Sequence, residues 1–181
     1  MMRKPLNLII PFTLVVVLTV ALMLPGISLS ADEQTLATID SQIITGSTFE
    51  AYLELFKGNP RYQPGTREAK EKLLQHLINR TILLQYAEEN GYADLEELSK
   101  HQHLSREEKE TLILRRLLTD LVSSQVAISQ TDIDRYLQNH PQLTRTHAEE
   151  NIAAEKQQEI FHQLMNKLKK KHTITIYQEN L

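Results

Sequence analysis

Histidine pairs, acid clusters and lysine runs are the features of this chain whose residue types and spacing could do chemistry. His101-x-His103 is the closest pair among the seven histidines. On a helix that spacing turns the two rings about 200° apart, and no H-E-x-x-H accompanies it, so the pair reads as solvated loop histidines and no metal ligand is expected. Glu107, Glu108 and Glu110 have the chemistry of a general acid or base, but they follow Ser105 in the first turn of a helical pattern, where negative charge suits the helix dipole. A covalent mechanism lacks its parts: there is no cysteine and no G-x-S-x-G elbow. Phosphate-cradling and dinucleotide fingerprints are absent too. Lys167 and Lys169 to Lys171 could attract an anionic surface, yet they close a helical pattern whose C-terminus favours positive charge. No catalytic residue and no cofactor is expected.

What remains is scaffold, and the stretch on which the rest must be hung is TREAKEKLLQHLINRTILLQYAEENGY, Thr66 to Tyr92. Thr66 is a good N-cap, Glu68 sits in the first turn, and Gly91 suits a left-handed C-cap. The spacing predicts one helix of about 24 residues, roughly 36 Å long. Leu73, Leu74, Leu77, Ile78 and Leu84 share a face, opposite Lys72, Gln75, His76 and Asn79. From Ile82 the pattern changes, since Ile82, Leu83 and Tyr86 fall on the side that was polar two turns earlier. The second half is therefore expected to be enclosed, with Ile82, Leu83, Leu84, Ala87 and Gly91 joining the core and the first half nearer any open groove.

The chain begins with Arg3 and Lys4, then an apolar run from Leu6 to Leu24, then Pro25-Gly26 and the small residues of ISLSA. Residues 1–30 read as a secretory signal peptide, or failing cleavage as an anchor, because the run approaches the length of a membrane span. The rest, residues 31–181, is then exported and lies outside the cytoplasm, and without cysteine only packing holds it. Removing Arg3 and Lys4 takes the formal net charge from -3 to -5. A mildly acidic chain is a poor partner for nucleic acid, and its contact with a membrane is expected only through an uncleaved N-terminus.

In chain order, Thr35 to Thr45 suits a strand and turn. Ser47 with Glu50 forms a capping box, with the helix starting at Thr45 or Ser47 and carrying Phe49, Tyr52, Leu53 and Phe56 as its stripe. KGNPRYQPG, Lys57 to Gly65, is a loop. Asp94 with Glu97 caps a short helix to about Lys100; Ser105 with Glu108 caps a longer one that buries Leu114, Leu117, Leu118 and Leu121. Ser129 with Asp132 caps another, stopped before Pro141, and the last helix is expected from near Thr146 to about Lys171, with Ile152, Ile160, Phe161, Leu164, Met165 and Leu168 inside. TITIY, Thr173 to Tyr177, alternates β-branched residues and reads as a strand pairing with Thr35 to Ile39. The expected fold is mainly α: five to six helices around one long central helix, with a small two-stranded sheet joining the two ends of the exported part.

ATIDSQIIT before a helix, LLQHLINRTILLQYAEENGY and AISQTDIDRYLQNHP together resemble the N-terminal chaperone domain of the SurA, PrsA and PpiC-like periplasmic foldases. The resemblance lies in Leu77, Ile78, Leu83, Leu84, Ala87 and Gly91 of the central helix, in the I-S-x-x-x-I-x-x-Y pattern beginning at Ile128, and in the returning QEIFHQLMNKLKKKHTITIYQENL. It implies an ATP-independent chaperone, free in the periplasm or anchored to the inner membrane and facing it, for unfolded or nascent exported polypeptides, outer-membrane proteins included. Isomerase members carry a parvulin domain between the tyrosine-bearing helix and the last one. Here only Asn139 to Ala148 fills that place, so the insertion site is expected to be empty and prolyl isomerase activity absent.

Phe49, Tyr52, Phe56 and Tyr62, on the first helix and its proline-containing loop, are the candidate client contacts, with ordinary core packing as the alternative for each. The competing expectation is an envelope assembly subunit that binds one dedicated partner or pairs as a homodimer; a non-catalytic relative of an isomerase is a third.

Overall fold

The computed structural model describes residues 34–58, 65–93 and 103–181. The leader expected over residues 1–30, the short helix expected over 94–100, and Tyr62 and His101 lie outside them. Within Glu33–Leu181 the chain forms one unit, mainly helical with a small antiparallel sheet.

The sheet comes first. β1 (Thr35–Ile39) and β2 (Gln42–Thr45) form a hairpin, and β3 (Ile174–Ile176) pairs antiparallel with the other side of β1. The strand expected at the C-terminus does return to Thr35 to Ile39, but the sheet has three strands rather than two. The reason is Asp40, which takes φ 51° and turns QIIT straight back along β1. Aspartate tolerates this left-handed backbone better than most side chains. A bulge between Thr35 and Ala37 adds one residue to β1, and consecutive Leu36 and Ala37 are then both buried, at 4% and 0% exposure. The inner face of the sheet carries Ala37, Ile39 and Ile44; its outer row is Ile43, Thr38 and Thr175.

Among the described residues five α-helices follow, each started by a local cap. α1 (Gly46–Glu54) is capped by Thr45, whose hydroxyl accepts from the Thr48 N–H, and not by the Ser47 box. α2 (Arg67–Glu89) is the central helix, capped by Thr66. α3 (Arg106–Leu121) and α4 (Gln130–Asn139) begin with complete capping boxes, Ser105 with Glu108 and Ser129 with Asp132. α5 (Arg145–Lys169) starts two residues earlier than expected, because Thr144 and not Thr146 caps it.

The main core lies between α2 and the sheet and is closed by α1, α3 and the last turns of α5. Ile39, Ile44, Leu74, Ile78, Ile82, Leu117 and Leu168 are its largest fully buried side chains. Of the residues expected in the core of α2, Leu73, Leu74, Leu77, Ile78, Ile82, Leu83 and Ala87 are buried, and so is Thr81. Leu84 is only half-buried. Gly91 is at the surface: its φ of 76° ends the helix, a conformational role and not a packing one.

A second, smaller cluster stands apart from the first. Ile133 of α4 packs with Ala148 and Ile152 of α5, flanked by Ile128, Tyr136 and Leu137. Because Phe161, Leu164, Met165 and Leu168 of the same helix belong to the main core, α5 is the one element shared by both clusters. α4 and the first half of α5 thus make an arm on the main body.

Candidate functional site

The first helix positions the aromatic candidates, and it does not treat them alike. Phe49 is 3% exposed and belongs to the main core. It therefore has no surface to offer a client, which corrects its assignment as a contact; the apolar stripe marks which side chains avoid water, and here the neighbouring elements supply the shelter. Tyr52 and Phe56, one helical turn apart, are half-buried, with ring centroids 5.0 Å apart in an edge-on contact.

Two apolar residues that the aromatic pattern passes over are more open. Leu55, at the C-cap of α1, is 54% exposed, and Ile43, on the outer face of β2, is 47% exposed. Leu55 falls three residues after Tyr52 and beside Phe56 at the C-terminal end of α1, where Tyr52 and Phe56 lean on the main core and Leu55 stays open. The signal for Leu55 was its place at the edge of the α1 stripe; Ile43 had one in the alternation with buried Ile44. Among the described residues these are the exposed large hydrophobics.

The arm is held by polar contacts around Lys156. Its ammonium donates to the Ala127 carbonyl at 2.6 Å and to Asp132 Oδ2 at 2.8 Å. Lys156 and the Ser129 cap together hold the Asp132 carboxyl well below the usual carboxylate range. Between α4 and α5 the chain spans only His140 to Thr144, with the Leu143 N–H donating to the His140 carbonyl at 3.0 Å and the Tyr136 and His140 rings 4.6 Å apart. Asn139 to Ala148 is thus the end of one helix, a tight connection and the first turn of the next.

The sheet is fastened by one aspartate. Asp40 Oδ2 meets His172 Nδ1 at 2.6 Å and Oδ1 accepts from the Thr173 N–H at 2.8 Å, and these bonds hold its carboxyl below its ordinary value. Asp40 both turns the β1–β2 hairpin and clasps the strand that arrives from the far end of the chain. Elsewhere Arg80 of α2 meets Glu110 of α3 at 2.9 Å in a half-buried ion pair, with Arg106 on the other carboxylate oxygen at 2.8 Å. Glu110 therefore acts as a structural anion.

Among the described residues no group of three or more His, Asp or Glu side chains is placed to hold a metal, and no helix is long and apolar enough to cross a membrane. His103 is exposed. No protein-family model matches the chain, and no curated protein matches it.

Proposed function

We propose that this protein is an ATP-independent periplasmic chaperone that holds unfolded exported polypeptides and has no prolyl isomerase activity. The observation that carries the proposal is the C-terminal end of α1, where exposed Leu55 adjoins half-buried Tyr52 and Phe56. A well-packed body that leaves apolar side chains at one helix end offers a place for apolar chain segments. The resemblance to the SurA, PrsA and PpiC-like foldases adds the class of client, and the tight His140 to Thr144 connection supports the lack of an isomerase insert.

The test is suppression of aggregation of an unfolded outer-membrane protein, with a proline-peptide isomerisation assay beside it. Protection at near-stoichiometric ratios and isomerisation at the spontaneous rate are expected. No protection at several-fold excess, or mutation-sensitive isomerisation, refutes the corresponding half.

One observation favours the second reading, a subunit with one dedicated partner: only Ile43 and Leu55 are exposed large hydrophobics among the described residues. So small an apolar exposure suits a defined contact. Co-purification of one stoichiometric partner, with no protection of unrelated unfolded proteins, would establish it.

A further inference from the structure

β3 is an edge strand, and its pairing with β1 determines which of its backbone groups are left over. The Asp40 N–H donates to the Thr173 carbonyl at 2.9 Å, and the Tyr177 N–H donates to the Leu36 carbonyl at 2.9 Å. Bonded and non-bonded pairs alternate along an antiparallel ladder. In this register the positions of β3 that bond β1 are Thr173, Thr175 and Tyr177, and the N–H and C=O groups of Ile174 and Ile176 point away from β1. No strand among the described residues pairs with that edge.

Beside it a groove of about 320 Å³ runs between β3, the segment after it, and the first half of α2. Leu74, Ile176 and Leu181 make its apolar part, and Glu68, Glu71, Lys72, Gln75, His76 and Gln178 make the rest of its lining. The charges of the lining are paired: Lys72 meets Glu68 at 2.8 Å and Glu71 meets Arg67 at 3.1 Å. The far wall is fixed, since Arg67 also donates to the Gln178 carbonyl at 2.9 Å and Asn180 donates to the Thr35 carbonyl at 2.7 Å.

Unpaired strand groups call for another backbone, and the groove beside them calls for an uncharged, apolar side chain. We propose that an extended apolar stretch of polypeptide adds antiparallel to the free edge of β3 as a fourth strand and places alternate side chains in the groove against α2. The proposal takes its ligand class from the polypeptide-binding function above but uses a different surface from α1. A second copy is the poorer occupant, because β3 is only 3 residues long and a stable dimer buries roughly 1,200 Å² or more.

The register sets the outcome of a chemical test. Residues directly opposite in a ladder place their side chains on the same face. The peptide residue that fills the groove is therefore the one whose own N–H and C=O bond to Ile174 or Ile176, while its neighbours turn their N–H groups to solvent. The probe is a fluorescein-labelled peptide of alternating valine and threonine with lysine at both ends, titrated with the full chain and followed by anisotropy. Methylating the valine nitrogens is expected to weaken binding roughly tenfold or more, and methylating the threonine nitrogens to change it by less than about threefold. Gln75→Trp, which fills the groove, is expected to weaken the parent peptide to the same degree, with an unchanged circular dichroism melt showing that it folds. Should it not fold, the two methylated peptides decide the matter alone.

Equal effects of the two methylations, a larger effect at threonine, or no binding of the parent peptide overturn the proposal. If aggregation suppression persists in that case, the polypeptide-binding function stands and only this site falls. A dimer in sedimentation that Gln75→Trp dissociates also overturns it, because the edge is then filled by a second copy.

Discussion

Replacing Ile133 by alanine tests whether the arm is a separate unit of stability. Ile133 is 4% exposed and packs with Ala148 and Ile152, away from the main core. Removing a buried isoleucine side chain beyond its β-carbon costs about 2–5 kcal/mol, and a small cluster that can collapse around the gap lies at the lower end, about 2–3 kcal/mol. Because only α5 joins the two clusters, the loss should fall on the opening of α4 and not on the global transition. At about 1.4 kcal/mol per decade, amides of Gln130–Asn139 should exchange with solvent about 30- to 150-fold faster in Ile133→Ala. Those of Ile82–Ala87 should change by less than about threefold. Hydrogen exchange read by mass spectrometry resolves the two segments. If the α2 amides accelerate as much as those of α4, the two clusters unfold together and the arm is not independent.

Other perturbations probe the clasp, the ion pair and the open end of α1. Asp40→Asn keeps a residue that tolerates left-handed φ while removing the charge that His172 and Thr173 bind. A carboxyl held below its ordinary value stabilises the fold above that value and loses the effect as pH falls through the lowered one. Wild type should therefore exceed the variant in urea midpoint at pH 7, with the difference shrinking as pH falls below the ordinary carboxylate value of about 4 and lost on passing through the lowered one; a difference independent of pH contradicts the clasp. Arg80→Ala leaves Glu110, whose side chain is 22% exposed, with Arg106 alone, and should cost roughly 1–3 kcal/mol by thermal melting; a loss under about 0.5 kcal/mol marks the pair as ornamental. Leu55→Asp should leave the melt within about 0.5 kcal/mol of wild type while reducing aggregation suppression. Unchanged suppression moves the client surface off α1.

How much of this was legible in the chain depends on how local each feature is. Thr66, Ser105 with Glu108, and Ser129 with Asp132 cap their helices as read, because a cap needs only the residues within one turn. Thr144 against Thr146, and Thr45 against Ser47, were ambiguous for the same reason: two good caps stood within a turn of each other. The change of face after Ile82 was visible as periodicity, and Ile82, Leu83 and Ala87 are buried. The fate of Phe49 was not, since a single stripe on α1 carries both the side that faces the core and the side that stays open. The second strand of the hairpin turned on the φ of Asp40 alone. The free edge of β3 could not be read at all, because it is defined by pairing with residues about 135 positions earlier in the chain.

That long-range pairing gives α5 a mechanical place in the molecule. It is a continuous helix of 25 residues, about 37 Å long at 1.5 Å per residue. Its first half is fixed to α4 by Ile152, Ala148 and Lys156, and its last turns are fixed in the main core by Met165 and Leu168. The chain then passes through His172, held by Asp40, directly into β3. A displacement of the arm therefore has a covalent and well-packed route to one destination, the edge strand of the sheet. The α1 side of the core is linked to the same turns of α5 by packing alone: Phe49 shares the main cluster with Met165 and Leu168, and α1 touches α2 and the β2 end of the sheet. If polypeptide binds at β3 and at α1 alike, the first of these surfaces is the one that follows α5 directly in the chain.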